Sequence, residues 1–153
     1  MLLNDRVGVI TGAASARGIG KATARLFAQH GARVAVLDLD AGQAEAAARD
    51  IGPGHLGLAC DVTDRAACAA AAEEIVARLG RVDVLVNNAG ITQPLKIMEI
   101  GPENYDAVTD VNLRGTLYMS QAVIPAMRGQ GSGAIVCMST VSAQRGGGIF
   151  GGP

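Results

Sequence analysis

Five short runs rich in valine, isoleucine and leucine, each followed by a polar or helix-period stretch, constrain this chain more than any other feature. They are RVGVIT (6–11), ARVAVLD (32–38), HLGLAC (55–60), VDVLVN (82–87) and GAIVCMS (133–139). Each is near-continuously apolar instead of alternating, which is the pattern of a strand covered on both faces. In the first intervening helix Ile19, Ala22, Thr23, Leu26 and Phe27 share a face, and Gly31 closes it. Asp40 is placed to cap a second helix with Ala44, Ala47, Ala48 and Ile51 inside, and Thr63 a third whose stripe is Cys68, Ala72, Ile75, Val76 and Leu79. A long helix opens at Gly101-Pro102-Glu103, with proline in its favoured first position, and runs to Met127. Strands alternating with helices through right-handed crossovers give an α/β fold, a doubly wound parallel sheet. No repeat and no long polar linker divides the chain, so residues 1–153 are expected to form one nucleotide-binding domain.

Composition removes several functions. A formal net charge of -1 and 3% aromatic residues offer nucleic acid neither a basic surface nor stacking platforms. No apolar run reaches the length needed to span a bilayer, so no membrane partner is expected. Cys60, Cys68 and Cys137 have no metal-like spacing and are expected as free, buried thiols in a reducing cytoplasm.

The first strand runs directly into Thr11-Gly12-Ala13-Ala14-Ser15-Ala16-Arg17-Gly18-Ile19-Gly20, which opens the first helix. Glycines there allow a tight turn and let backbone approach a pyrophosphate, while the helix N-terminus turns unpaired N–H groups on the anion. Asp38 ends the second strand, 18 residues beyond Gly20. A carboxylate in that place accepts from a ribose 2′-hydroxyl and repels a 2′-phosphate, favouring NAD over NADP. Arg17 in the loop could answer a 2′-phosphate, which keeps NADP open.

Further motifs narrow the choice. Asp61-Val62 follows the third strand, Asn87-Asn88-Ala89-Gly90 follows the fourth, and Asp110-Val111-Asn112 lies within the long helix. In order and spacing the chain resembles the short-chain dehydrogenase/reductase family, classical type, over essentially its whole length, with the Rossmann fold that this implies. The resemblance implies an NAD(P)-dependent oxidoreductase that interconverts a secondary alcohol and a ketone by hydride transfer, 3-oxoacyl-thioester reductases being among its members. It places Gly12, Ser15, Arg17, Gly18, Ile19 and Gly20 about the pyrophosphate and nicotinamide, and Asp38 on the adenosine ribose. Asp61 and Val62 would meet the adenine, and Asn88, Ala89 and Gly90 would pass beside the cofactor. Asn112 would bend its helix and expose a carbonyl to a proton-relay water. The resemblance also implies a homo-oligomer.

Two departures stand out. The glycine loop is two residues longer than the commonest family pattern, so Ser15, Ala16 and Arg17 must bulge. The active-site hydroxyl, usually the second of a Ser-Ser pair after the fifth strand, falls on Thr140, with Ser139 and Ser142 as neighbours that could replace it. The family's Tyr-x-x-x-Lys, which supplies the general acid and the lysine that lowers its pKa, is absent from these residues. Tyr105 and Tyr118 lie before the fifth strand, and Lys21 and Lys96 are equally misplaced. The chain is therefore expected to be the N-terminal part of a longer enzyme, with the catalytic helix and further strands missing, and to be inactive alone. A naturally short nucleotide-binding module or pseudoenzyme is the alternative, and a methyltransferase a weaker one. Gln93, Leu95 and Gln144 are candidate pocket neighbours.

Overall fold

The computed structural model describes residues 1–140. Gln144 and Ser142, both named above, lie outside the described residues. Strands β1 (Val7–Thr11), β2 (Arg33–Asp38), β3 (Leu56–Ala59), β4 (Val84–Asn87) and β5 (Ala134–Cys137) form one sheet in the order β3-β2-β1-β4-β5. Every pairing is parallel, with Val9 opposite Ala35 on one side and Leu85 on the other. Among the described residues, helices α1 (Ile19–Gln29), α2 (Ala41–Ile51), α3 (Arg65–Leu79), α4 (Pro102–Thr109) and α5 (Gly115–Gln130) connect and cover the strands, with a 3₁₀ turn at Ile97–Glu99.

The period of two in each strand splits the core between two faces. Val7, Val9, Ala35, Leu37 and Leu85 pack with Cys68, Ile75 and Leu79 of α3 and with Met119, Val123 and Met127 of α5. Ile10, Val34, Val36 and Val86 pack on the other side with Ala24 of α1 and Ala44, Ala47 and Ala48 of α2. After β3 the chain crosses to the far side of β1, so the connections leaving β1 and β4 diverge and open a crevice at their C-terminal ends. At the opposite end of the sheet Asp83, 5% exposed, accepts from the Val7 amide at 2.9 Å, from Arg6 at 2.8 Å and from Arg81 twice at 2.7 Å. That carboxylate staples β1 to β4.

Four sequence expectations need correction. Of the expected inner face of α1, Phe27 packs on the core, but the fully buried residues are Gly20 and Ala24, and Ile19 and Leu26 are 65% and 52% exposed. Small residues let the helix lie close to the sheet, and they carry little apolar signal. The third helix is capped by Asp64, whose carboxylate accepts from the Ala66 amide at 2.8 Å. Thr63 is not its cap because its hydroxyl and amide are already committed to Asp61. The long helix is interrupted at Asp110–Arg114 by one π-helical turn, a feature that often marks functional sites. Finally Cys137 is exposed, while Cys60 and Cys68 are buried as expected.

Candidate functional site

A cleft of about 590 Å³ opens in the crevice between the ends of β1 and β4. It is lined by Gly12, Asp38, Asp61, Val62, Asn88, Ala89 and Gly90, all singled out in the sequence. It also takes in Leu39, Cys60, Thr63, Ile91, Ala107, Asp110 and Val111. A volume of this size is usual for a small-molecule or cofactor site.

The floor is a hydrogen-bonded knot between β1 and β4. Thr11 Oγ1 accepts from the amides of Asn88 at 3.0 Å and Ala89 at 2.9 Å. The Asn88 side-chain amide donates to the carbonyls of Thr11 at 2.9 Å and Gly12 at 3.0 Å. Such closeness leaves no space for side chains. A Cβ on Gly12, which sits at φ +62°, would meet the Ala89 Cα at 2.8 Å, and one on Gly20 would meet the Asn88 amide nitrogen at 2.6 Å. Thr11 was not singled out in the sequence, because a threonine ending a strand reads as an ordinary β-former.

Above this floor, Gly18 is the N-cap of α1 with extended backbone, no side-chain cap and no acidic residue in the first turn. The first amides of α1 therefore lack intrahelical acceptors and face outward as an anion-binding set. The two extra loop residues are absorbed in a tight turn, the Gly18 amide donating to the Ser15 carbonyl at 3.0 Å. Ser15, Ala16 and Arg17 are all exposed, as the expected bulge requires. Ser15 lines an adjoining open hollow with Ala14, Lys21, Asp38 and Gln43. Lys21 in turn pairs with Asp50 at 2.8 Å.

Asp38 stands at the end of β2 where cleft and hollow meet. One carboxylate oxygen accepts from the Ala14 amide and the other from the Leu39 amide, each at 2.9 Å. Both oxygens keep lone pairs for further donors. Asp61 accepts from the Thr63 amide at 2.8 Å and hydroxyl at 2.7 Å through Oδ1, and Oδ2 has no partner among the described residues. Val62, 7% exposed, packs against Gly115 at the start of α5.

Asn112 lies in the π turn. Its side chain grips Ile91 at both ends, accepting from the amide and donating to the carbonyl, each at 2.9 Å. Its own carbonyl accepts the Thr116 hydroxyl at 2.9 Å. Ser139 and Thr140 follow β5 as exposed residues and are not among those lining the cleft. Just before them the Met138 amide donates to the Asn87 carbonyl at 3.0 Å, and the Asn87 side chain reaches Ser120 Oγ at 3.1 Å. A separate hollow of about 530 Å³ lies between α3 and α5, away from these groups. No helix among the described residues is long and apolar enough to cross a membrane.

A family described as enoyl-(acyl carrier protein) reductase matches residues 12–150. The chain is 55% identical to an uncharacterized short-chain type dehydrogenase/reductase of Sinorhizobium fredii, over 100% of this chain and 62% of that protein. It is 42% identical to the 3-oxoacyl-(acyl-carrier-protein) reductase of Thermotoga maritima, over 100% of this chain and 61% of the relative. Among solved structures, the 3-ketoacyl-(acyl-carrier-protein) reductase of Brucella melitensis complexed with NADH superposes with a TM-score of 0.89 at 35% identity, covering 97% of this chain and 62% of that one. The chain thus spans about three-fifths of the length of the curated relatives it matches.

Proposed function

The chain belongs to the short-chain dehydrogenase/reductase family of oxidoreductases, and from that premise we propose that its cleft binds NAD. The adenosine ribose lies on Asp38, the pyrophosphate over the open amides of α1, and the adenine against Asp61 and Val62. What carries this reading is the Asp38 carboxylate, which two backbone amides hold rigid with lone pairs to spare. Ribose hydroxyls would complete it, whereas a 2′-phosphate would stand against its charge. NAD is therefore preferred and NADP the weaker ligand. Ser15, Gly18, Ile19 and Gly20 line the diphosphate and nicotinamide, and Asn88, Ala89 and Gly90 flank the ring.

The bound nicotinamide supplies the hydride acceptor or donor for interconverting a secondary alcohol and a ketone. This chain's own residues hold and orient. The Asn88 knot fixes the floor, and the Asn112 carbonyl, in the π turn, holds a relay water. Thr140, or Ser139 beside it, donates to the substrate oxygen. The 153 residues contain no Tyr-x-x-x-Lys, so the chain by itself is expected to bind NAD without turnover, and the whole reaction to need that pair. A non-catalytic binding module is the second reading, favoured only by that missing motif. Residues 1–153 act as one nucleotide-binding domain of a cytoplasmic homo-oligomer whose substrate is a small alcohol or carbonyl compound.

Calorimetric titration tests the reading. NAD+ is expected to bind about tenfold or more tightly than NADP+, and Asp38→Ala to weaken NAD+ by a similar factor. S-adenosylmethionine should give no heat. Tighter binding of NADP+, or of S-adenosylmethionine alone, would overturn it.

A further inference from the structure

Beside the cleft lies the open hollow of about 680 Å³ that Asp38 shares with it. Because Asp38 lines both spaces, a group carried on a sugar hydroxyl at Asp38 and pointing away from the cleft enters the hollow. Among the described residues, two carboxylates line the hollow, Asp38 and Asp50, against one ammonium, Lys21. The other polar side chains there, Ser15 and Gln43, are neutral, and Arg17 is not among the lining residues. Lys21 sits in the first turn of α1 and Asp50 in the last turn of α2. Their side chains pair at 2.8 Å, that of Lys21 only 11% exposed and that of Asp50 49%. Arg25, one turn further along α1, meets the same carboxylate oxygen at 2.6 Å.

We propose that Asp50 is a specificity-determining residue for the dinucleotide: by pairing with Lys21 it denies a 2′-phosphate the one cation of the hollow, and so sharpens the preference for NAD over NADP. The inference rests on the cofactor reading above and adds to Asp38 a second acid on a different element. Asp50 touches no ligand in this account. It acts through Lys21, as a positioning residue. A ribose hydroxyl carries no charge and is nearly indifferent to the field in the hollow. A 2′-phosphate meets the Asp38 carboxylate and a lysine already neutralised by Asp50, so repulsion is not offset. Left unpaired, the lysine on its flexible four-carbon stem would turn toward that phosphate and cancel much of the Asp38 repulsion.

The placement of Asp50 fits that role. A carboxylate in the last turn of a helix stands against the helix dipole. Asp50 therefore gains nothing from α2 and is held by the two cations of α1. Lys21 and Arg25 keep its carboxyl below the usual carboxylate range, so it is charged at neutral pH. Its half-exposed position also means that an amide in its place leaves the fold standing, with Lys21 released into the open hollow.

Calorimetric titration of the native chain and its variants with NAD+ and NADP+, at low and high salt, decides the matter. In the native chain the ratio of NADP+ to NAD+ affinity should rise between about 0.05 and 0.5 M salt, as repulsion from the hollow is screened. Asp50→Asn should bind NADP+ roughly fivefold more tightly, keep NAD+ within about twofold, and lose that rise with salt. Asp50→Glu should behave as the native chain does. Lys21→Met in the Asp50→Asn background should cancel the gain. A ratio unmoved by Asp50→Asn, or a gain that survives the loss of Lys21, would overturn the inference. So would a native ratio that falls with salt, since Lys21 would then already be drawing the phosphate. Preference for NAD+ with an unmoved ratio sinks this inference alone. A folded chain that binds neither dinucleotide, or prefers NADP+, refutes the cofactor reading and this inference with it.

Discussion

Individual side chains at the two ends of the sheet do different work, and pH separates them. Burial alone would raise the Asp83 carboxyl, but Arg81, the Val7 amide and Arg6 together outweigh it and hold it below the usual carboxylate range. A depressed folded pKa means that the unfolded chain takes up the proton first. The stabilisation is then complete above about pH 4 and lost as pH falls through the folded value. Asp83→Asn should cost about 2 kcal/mol at neutral pH and flatten the acid limb of the urea midpoint against pH. Equal acid sensitivity in variant and parent would contradict this. His55 behaves in the same sense at higher pH. Burial lowers its pKa, and its Nδ1 accepts the Val34 amide at 3.1 Å, so the ring must be neutral there. Stability from His55 should be full above about pH 6.5 and decline below it, a decline that His55→Gln should remove from thermal melts. At the cleft, Asn88→Ala removes two donors to the carbonyls of Thr11 and Gly12. About 2 kcal/mol of lost stability is expected, read from urea denaturation.

At the level of elements, the lengthened glycine loop confines its extra length to one local turn. Because the extra residues close on themselves between Ser15 and Gly18, deleting Ala16 and Arg17 should leave the melting temperature within about 4 °C and the NAD+ affinity within about twofold. A loss of binding would show that Arg17 reaches the ligand. The five strands, the Asp40 cap and the loop-to-helix junction were legible because each depends on a local pattern: apolar runs, a capping carboxylate, glycines between strand and helix. The burial side of α1 was not, because Gly20 and Ala24 earn their inner place by smallness, which no hydrophobic period records. The Asp64 cap was hidden because Asp61 captures Thr63 first, a competition visible only in three dimensions. A bend at Asn112 was legible through resemblance, whereas its form as a π turn was not, since one extra residue per turn leaves the helical period nearly unchanged. Thr11 holds the loop beneath the cleft, and Ala107 lines it, only through the tertiary placement of β4 and α4.

The described molecule as a whole has one finished flank and one open one. β3 is backed by α2 and α3, but all four residues of β5 are exposed, Ile135 and Val136 at 37% and 46%. An apolar parallel edge of this kind invites pairing with other chains. Purified alone, the 153-residue chain should elute above its monomer size by sizing chromatography with light scattering, and Val136→Lys should shift it toward monomer. A chain that stays monomeric at all concentrations would contradict that expectation. The organisation of the molecule converges on one claim, that a nicotinamide dinucleotide spans the crevice between β1 and β4. Amide NMR of the isotope-labelled chain titrated with NAD+ tests it most directly. The account predicts shifts concentrated at Ala14, Gly18–Gly20, Leu39, Asp61–Val62 and Ala89–Gly90; shifts centred on the hollow between α3 and α5, or none with the chain folded, would contradict it.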